Sequence, residues 1–246
     1  MRPCVELAGR VWTEPLGSVL IYALAVLWIW AGWRFWRERA RERSRFWWAI
    51  SLFLGGVAAA SAGTSYQALS YELKCAGRAL CVWTSGFEVA YLALQNASSA
   101  CAVVAVAYCC TRGRLRAALV AYAALDAALH VAITAYGTAT ADPSLLSFEV
   151  LLAFSLPALL LGLGLNGWRY LRYRSALDGA LLGAWAWLVA TNGAYYAYLV
   201  GGWRQSLWRD GAGFYFSEND VLHVGMIGWT LYMRFVVAPR TVDLDA

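Results

Sequence analysis

The sequence predicts an all-α fold, a single domain over residues 1–246 built as a bundle of seven transmembrane helices. Three observations carry this: the composition, the apolar stretches and the placement of the arginines. Hydrophobic residues make up 61% of the chain and charged residues 14%, whereas a soluble domain is about 45–50% apolar and about 25% charged. Too little polar surface is left to cover a water-soluble globule, so a bilayer must take the remainder. Seven spans of roughly 20 residues use about 140–160 residues. That leaves short loops and no separate soluble domain.

The first span is expected at 16–33 and runs into a basic loop at 34–45. The second is expected at 46–69 and the third at 82–110, closed by a basic turn with Arg112, Arg114 and Arg116. The fourth, 117–136, is joined to the fifth, 145–165, by the polar turn 137–143. Arg169, Arg172 and Arg174 make a third basic turn before the sixth span at 177–200. A longer loop, 201–216, leads to the seventh at 218–237. The first apolar stretch is long and ends in strong positive charge, so it reads as a retained span and not as a cleaved signal.

The charges orient the bundle. Numbering the loops alternately, one side carries six, three, three and two arginines, fourteen in all. The other side carries six basic residues: Arg2, Arg10, Lys74, Arg78, Arg204 and Arg209. The side richer in arginine is expected in the cytoplasm, which puts the N-terminus outside and the C-terminus inside. Fourteen tryptophans and fourteen tyrosines suit interfacial belts. The net charge of +5 is therefore a topology signal, and the bilayer, not nucleic acid, is the expected partner.

Several function classes drop out. A retinal Schiff base needs a lysine in the last span, and the only lysine, Lys74, lies in a loop. The chain has no Gly-rich phosphate loop, HExxH helix or GxSxG elbow. Of six cysteines, Cys75 and Cys81 share an outer loop and are candidates for a disulfide in an oxidising compartment, with free thiols as the alternative. Cys4 is also outside and can compete; Cys101, Cys109 and Cys110 are expected to be reduced.

Ionisable groups inside spans are costly and point to function. Glu88, Asp126 and Asp220 are the candidate acid–base groups, His130 and His223 the candidate metal ligands, and Gln67, Asn192, Tyr195 and Asn219 candidate ligand contacts. Almost all fall in the outer half of their spans, while the inner half reads as Leu, Ala, Val and Trp. That asymmetry predicts a polar cavity opening outward, with simple interfacial placement as the bland reading. Asp126 and His130 are four apart and share a helix face, where a carboxylate can fix an imidazole tautomer or merely join helices. Ser217 through Asp220 has the form of a helix cap, which gives Asp220 a structural reading as well. The two histidines lie at matched depth, roughly 8–10 Å below the outer boundary. They can be read as ligands of one metal or of a haem.

Gly63-Thr-Ser-Tyr-Gln67 and Asn219-Asp-Val-Leu-His223 resemble segments of the superfamily of alkaline ceramidases and progestin/adiponectin-type receptors. That resemblance implies seven spans, a zinc site and a membrane amidase acting on a lipid. His223 stands at the second histidine of the span-seven pair. Asn219 stands at the first, Gln67 at the span-two histidine and Gly63 at the serine. Glu72 or Glu88 would replace the aspartate at a different spacing. One of five ligand positions thus keeps its residue type. The stretch 216–223 also resembles a bacterial seven-span family, so the expected location is a bacterial plasma membrane. Two functions follow as expectations: a membrane hydrolase of lipids or amides, or a non-enzymatic protein that binds a small ligand, lipid or haem or packs as a subunit of a membrane assembly.

Overall fold

The computed structural model describes residues 3–209 and 212–244, so Arg2 of the charge count lies outside the described residues. Inside a bilayer every backbone amide must be satisfied within its own segment, which selects helices for the apolar stretches. The long helices are α1 (Pro15–Arg37), α2 (Arg43–Ala62), α4 (Gly86–Cys110), α5 (Gly113–Thr140), α6 (Phe148–Tyr173), α7 (Ala176–Val200) and α9 (Glu218–Tyr232). A π-helical turn, Gly63–Ala68, continues α2, and a second, Met233–Val237, continues α9. Six of these, all but α7, are long and apolar enough to cross a membrane. The chain is a multi-pass helical membrane protein. Helix α7 has 25 residues and packs between α6 and α9.

Boundaries differ from expectation mostly by lengthening. Helix α5 begins at Gly113 and α6 runs to Tyr173, so the basic residues 114, 116, 169 and 172 are helical, not in turns. The 201–216 loop contains a short helix, α8 (Trp203–Leu207), and the strand pair β3 (Trp208–Arg209) and β4 (Ala212–Gly213). The segment before α1 forms a hairpin of β1 (Cys4–Leu7) and β2 (Arg10–Thr13) through a turn at Ala8 and Gly9, both with positive φ. The hairpin is tied down by the Val11 amide donating to Glu72 Oε1 at 2.9 Å and by the Thr13 hydroxyl on the Gln67 carbonyl. Glu72 sits on the short helix α3 (Ser70–Lys74).

Helix α4 is central: α2 and α5 pack on it, and α6 reaches it as well. Helix α9 closes a ring by packing on α1 and α7. The core of this ring is aromatic. Trp28 and Trp229 meet at 5.9 Å between ring centroids, Trp48 and Trp185 at 6.5 Å. Such close aromatic packing needs bare backbone opposite it. At Gly55, a Cβ would lie 1.8 Å from the Trp28 ring, and at Gly162 it would lie 2.6 Å from Trp185.

Each end of the bundle has its own closure. At the arginine-rich end, Asp243 accepts the amides of Arg43 and Ser44, both at 2.8 Å, and so caps the start of α2 from 199–200 residues away. The Leu244 amide donates to the Tyr108 carbonyl and Arg45 Nε to the Thr241 carbonyl. At the opposite end, Cys75 and Cys81 are joined by a disulfide, while Cys4 is free and exposed. In the α5–α6 turn, hydrogen bonds from the Ser144 hydroxyl and amide hold the exposed Asp142 carboxyl below its ordinary range.

Candidate functional site

The densest meeting of predicted site residues lies where α1, the first π turn and α9 converge. The π turn adds a residue to the helical repeat and swings Gln67 inward, where its side chain is 2% exposed. Helix α9 starts on the expected cap: the Ser217 hydroxyl faces the Asp220 amide, and Asp220 Oδ2 accepts the Ser217 amide at 2.7 Å. That capping box fixes the Asp220 carboxylate, and its second oxygen, Oδ1, is buried without a partner. Gln67 Oε1 is also buried without a partner. Between them lies Gly17 of α1. A Cβ there would come 2.9 Å from Asp220 Oδ1 and 3.2 Å from Gln67 Nε2. His223, one turn further along α9, is buried with Nδ1 unpartnered. Asn219, next to Asp220 in sequence, is half-buried. The cap itself is testable: Ser217→Ala should cost about 1 kcal/mol in thermal unfolding of the detergent-solubilised protein.

Glu88 belongs to a different cluster. Ser85 caps α4, and Glu88 in its first turn accepts hydrogen bonds from Ser65 and Thr84, both at 2.9 Å. Lys74 completes the set as an ion pair and also lies over the Tyr66 ring at 5.0 Å. Both carboxylate oxygens of Glu88 are thus engaged, and the neighbouring loop is held against the start of α4.

Asp126 and His130 do share a face of α5 but do not pair. Asp126 accepts the amide of Asn96, 3.0 Å away on α4, while His130 turns edge-on to Phe154 of α6 with centroids 5.1 Å apart. Of the two readings that the four-residue spacing leaves open, the Asn96 bond matches the tie between helices for Asp126. His130 stands on a helix that packs on α4 and α6, and His223 on one that packs on α1 and α7. Asn192 donates to the Leu188 carbonyl one turn back, and Tyr195 packs against Phe148 and Tyr196. The predicted site residues thus fall in these separate clusters.

A further polar centre lies at the arginine-rich end, where the sequence reads as purely apolar. Asn166 and Asp178 are both fully buried. Asn166 Nδ2 donates to Asp178 Oδ1 at 3.0 Å and its carbonyl accepts the Trp185 indole at 2.9 Å. Arg169 pairs with the same Asp178 oxygen at 2.9 Å and donates to the Cys110 carbonyl at 2.7 Å. This network joins α4, α6 and α7. Arg169 therefore works as an internal tie, beyond the topology signal assigned to it. An Asn and an Asp twelve residues apart across a basic turn were the available signal.

The sequence model of a family of unknown function, DUF6962, matches residues 19–240. The chain belongs to that family. No match was found among curated proteins or among solved structures. In this DUF6962 chain, the positions that the ceramidase resemblance assigns to zinc hold one imidazole, the amides of Gln67 and Asn219, and Gly63. Among the described residues no three His, Cys, Asp or Glu side chains come together as metal ligands. Amide oxygens are poor zinc ligands beside imidazole and thiolate. The residues present do not fit a zinc ion.

Proposed function

We propose that this protein is a seven-span membrane binding protein, N-terminus outside, which holds a small ligand rich in hydrogen-bond donors between α1, the first π turn and α9. A primary amine is the simplest such ligand. The observation that carries the reading is that Gln67 and Asp220, whose Oε1 and Oδ1 are buried without partners, both come close to Gly17, Asp220 through Oδ1 and Gln67 through its amide nitrogen. A buried acceptor without a donor costs about 1–3 kcal/mol, more when charged, and a bound donor recovers that cost. The length and packing of α7 support its reading as the seventh span. The partition of the arginines supports the orientation. The hydrolytic reading is less well supported, because Glu88 and Asp126 are already engaged in hydrogen bonds.

Purified protein titrated with a panel of small amines should be stabilised, by about 2.7 kcal/mol when the ligand reaches a hundred times its Kd. Asp220→Asn keeps the cap geometry and removes the charge, so it should weaken binding tenfold or more with little change in the unliganded Tm. Gly17→Ala should block binding by setting a methyl group against the Asp220 carboxylate and the Gln67 amide. If no amine shifts the Tm, and Asp220→Asn behaves as the parent with every compound, the proposal fails.

A further inference from the structure

On the lipid-facing side of α2 and α4, away from the Gln67–Asp220 site, an open groove of about 660 Å³ runs down from the disulfide loop. Its size lies within the about 300–1,000 Å³ of small-molecule sites. Its floor is one stripe of α4, with Gly86, Ala90 and Leu94 at four-residue steps, about 12 Å of helix. Gly86 has open space where a Cβ would stand. Val57 of α2 and Phe87 of α4 flank it, 48% and 44% exposed. This lower part carries no charged side chain.

The mouth of the groove is different in kind. Arg78 stands there, inside the loop closed by Cys75–Cys81. Its guanidinium donates to the Leu73 and Lys74 carbonyls at 3.1 and 3.3 Å, which fixes the arm. Among the described residues no carboxylate pairs with it. The nearby Glu88 is already neutralised by Lys74. Thr84 and Ser85 also line the mouth, their hydroxyls already turned to Glu88 and to the cap of α4, which leaves Arg78 as the group that can meet an anion. A fixed cation above a bare apolar channel, on the side of helices that a bilayer surrounds, has one complementary ligand class.

We propose that this groove binds a single anionic phospholipid, its phosphate on Arg78 and one acyl chain along the α4 stripe between Val57 and Phe87. The disulfide loop sets the height of Arg78 above the apolar channel, so the lipid is recognised by headgroup charge and chain together. Neither feature depends on the amine site.

Native mass spectrometry of the full chain, released from detergent after equilibration with phosphatidylglycerol or phosphatidylcholine of matched chains, tests this. One phosphatidylglycerol adduct should be retained in clear preference to phosphatidylcholine. Arg78→Gln should reduce that adduct about tenfold or more, Arg78→Lys should retain most of it, and Ala90→Trp should abolish it by filling the channel. Unliganded Tm values establish that each variant is folded, and Arg78→Gln, on an exposed loop, carries the test if Ala90→Trp is not. Excess inorganic phosphate should leave the adduct in place, because phosphate has no acyl chain. Equal retention of the two lipids, an unchanged preference in Arg78→Gln, or displacement by phosphate alone overturns the proposal.

Discussion

Asp178→Ala is expected to destabilise the protein by about 3–5 kcal/mol, the usual cost of removing one partner of a buried ion pair. Three groups lose their common acceptor: the Arg169 guanidinium, the Asn166 amide and the Cys110 thiol. The Ser175 cap at the start of α7 also loses the acidic residue that favours a helix N-terminus. Arg169 is 13% exposed and close to the arginine-rich end, so part of its charge can turn to water, which places the loss toward the lower figure. Replacing Arg169 and Asp178 together by leucine should recover much of the stability, because no uncompensated charge is then left. Thermal or chemical unfolding of the parent and the two variants in one detergent compares the losses. A single Asp178→Ala loss below 1 kcal/mol would show that the network adds nothing to the joint between α4, α6 and α7.

Gly55→Ala should be the most damaging single-methyl addition in the aromatic core. The new Cβ would sit 1.8 and 2.1 Å from two atoms of the Trp28 ring and 3.0 Å from Ser98 Oγ. Trp28 cannot simply swing away, because it is 5% exposed and backed by Trp229. Overpacking costs typically 1–3 kcal/mol, and an overlap this deep with a rigid ring belongs at or above the top of that range. Trp28→Leu in the same chain vacates the ring positions. The double variant should therefore be more stable than the sum of the two single losses requires. A double-mutant cycle with no coupling between the two positions would contradict the close approach of α1 and α2.

Hydropathy makes the six apolar helices legible, because a bilayer selects long apolar runs. The cap at Ser217 was legible as well, since a cap is a local pattern of four residues. What stayed hidden was partnership between helices. Helical spacing says which residues share a face but not what that face meets, so the four-residue step from Asp126 to His130 does not reveal that the donor to Asp126 is Asn96, thirty residues away. The same limit hid Asn166 and Asp178, each of which reads as one polar residue at the edge of an apolar run. Gly17 was invisible for another reason. Its role is the absence of a side chain, and its neighbours Gln67 and Asp220 lie on other elements. The N-terminal hairpin escaped because four-residue strands carry too little alternation to register.

The tie between Asp243 and the first turn of α2 bears on the order in which the molecule can be completed. Ribosomal synthesis delivers Arg43 and Ser44 about two hundred residues before the carboxylate that binds their amides. Until Asp243 is made, the amides of the first turn of α2 lack this carboxylate. The arginine-rich end closes only after the last helix has docked on α1 and α7. Closure of that end thus couples the start of α2 to the docking of α9, two elements made far apart in time.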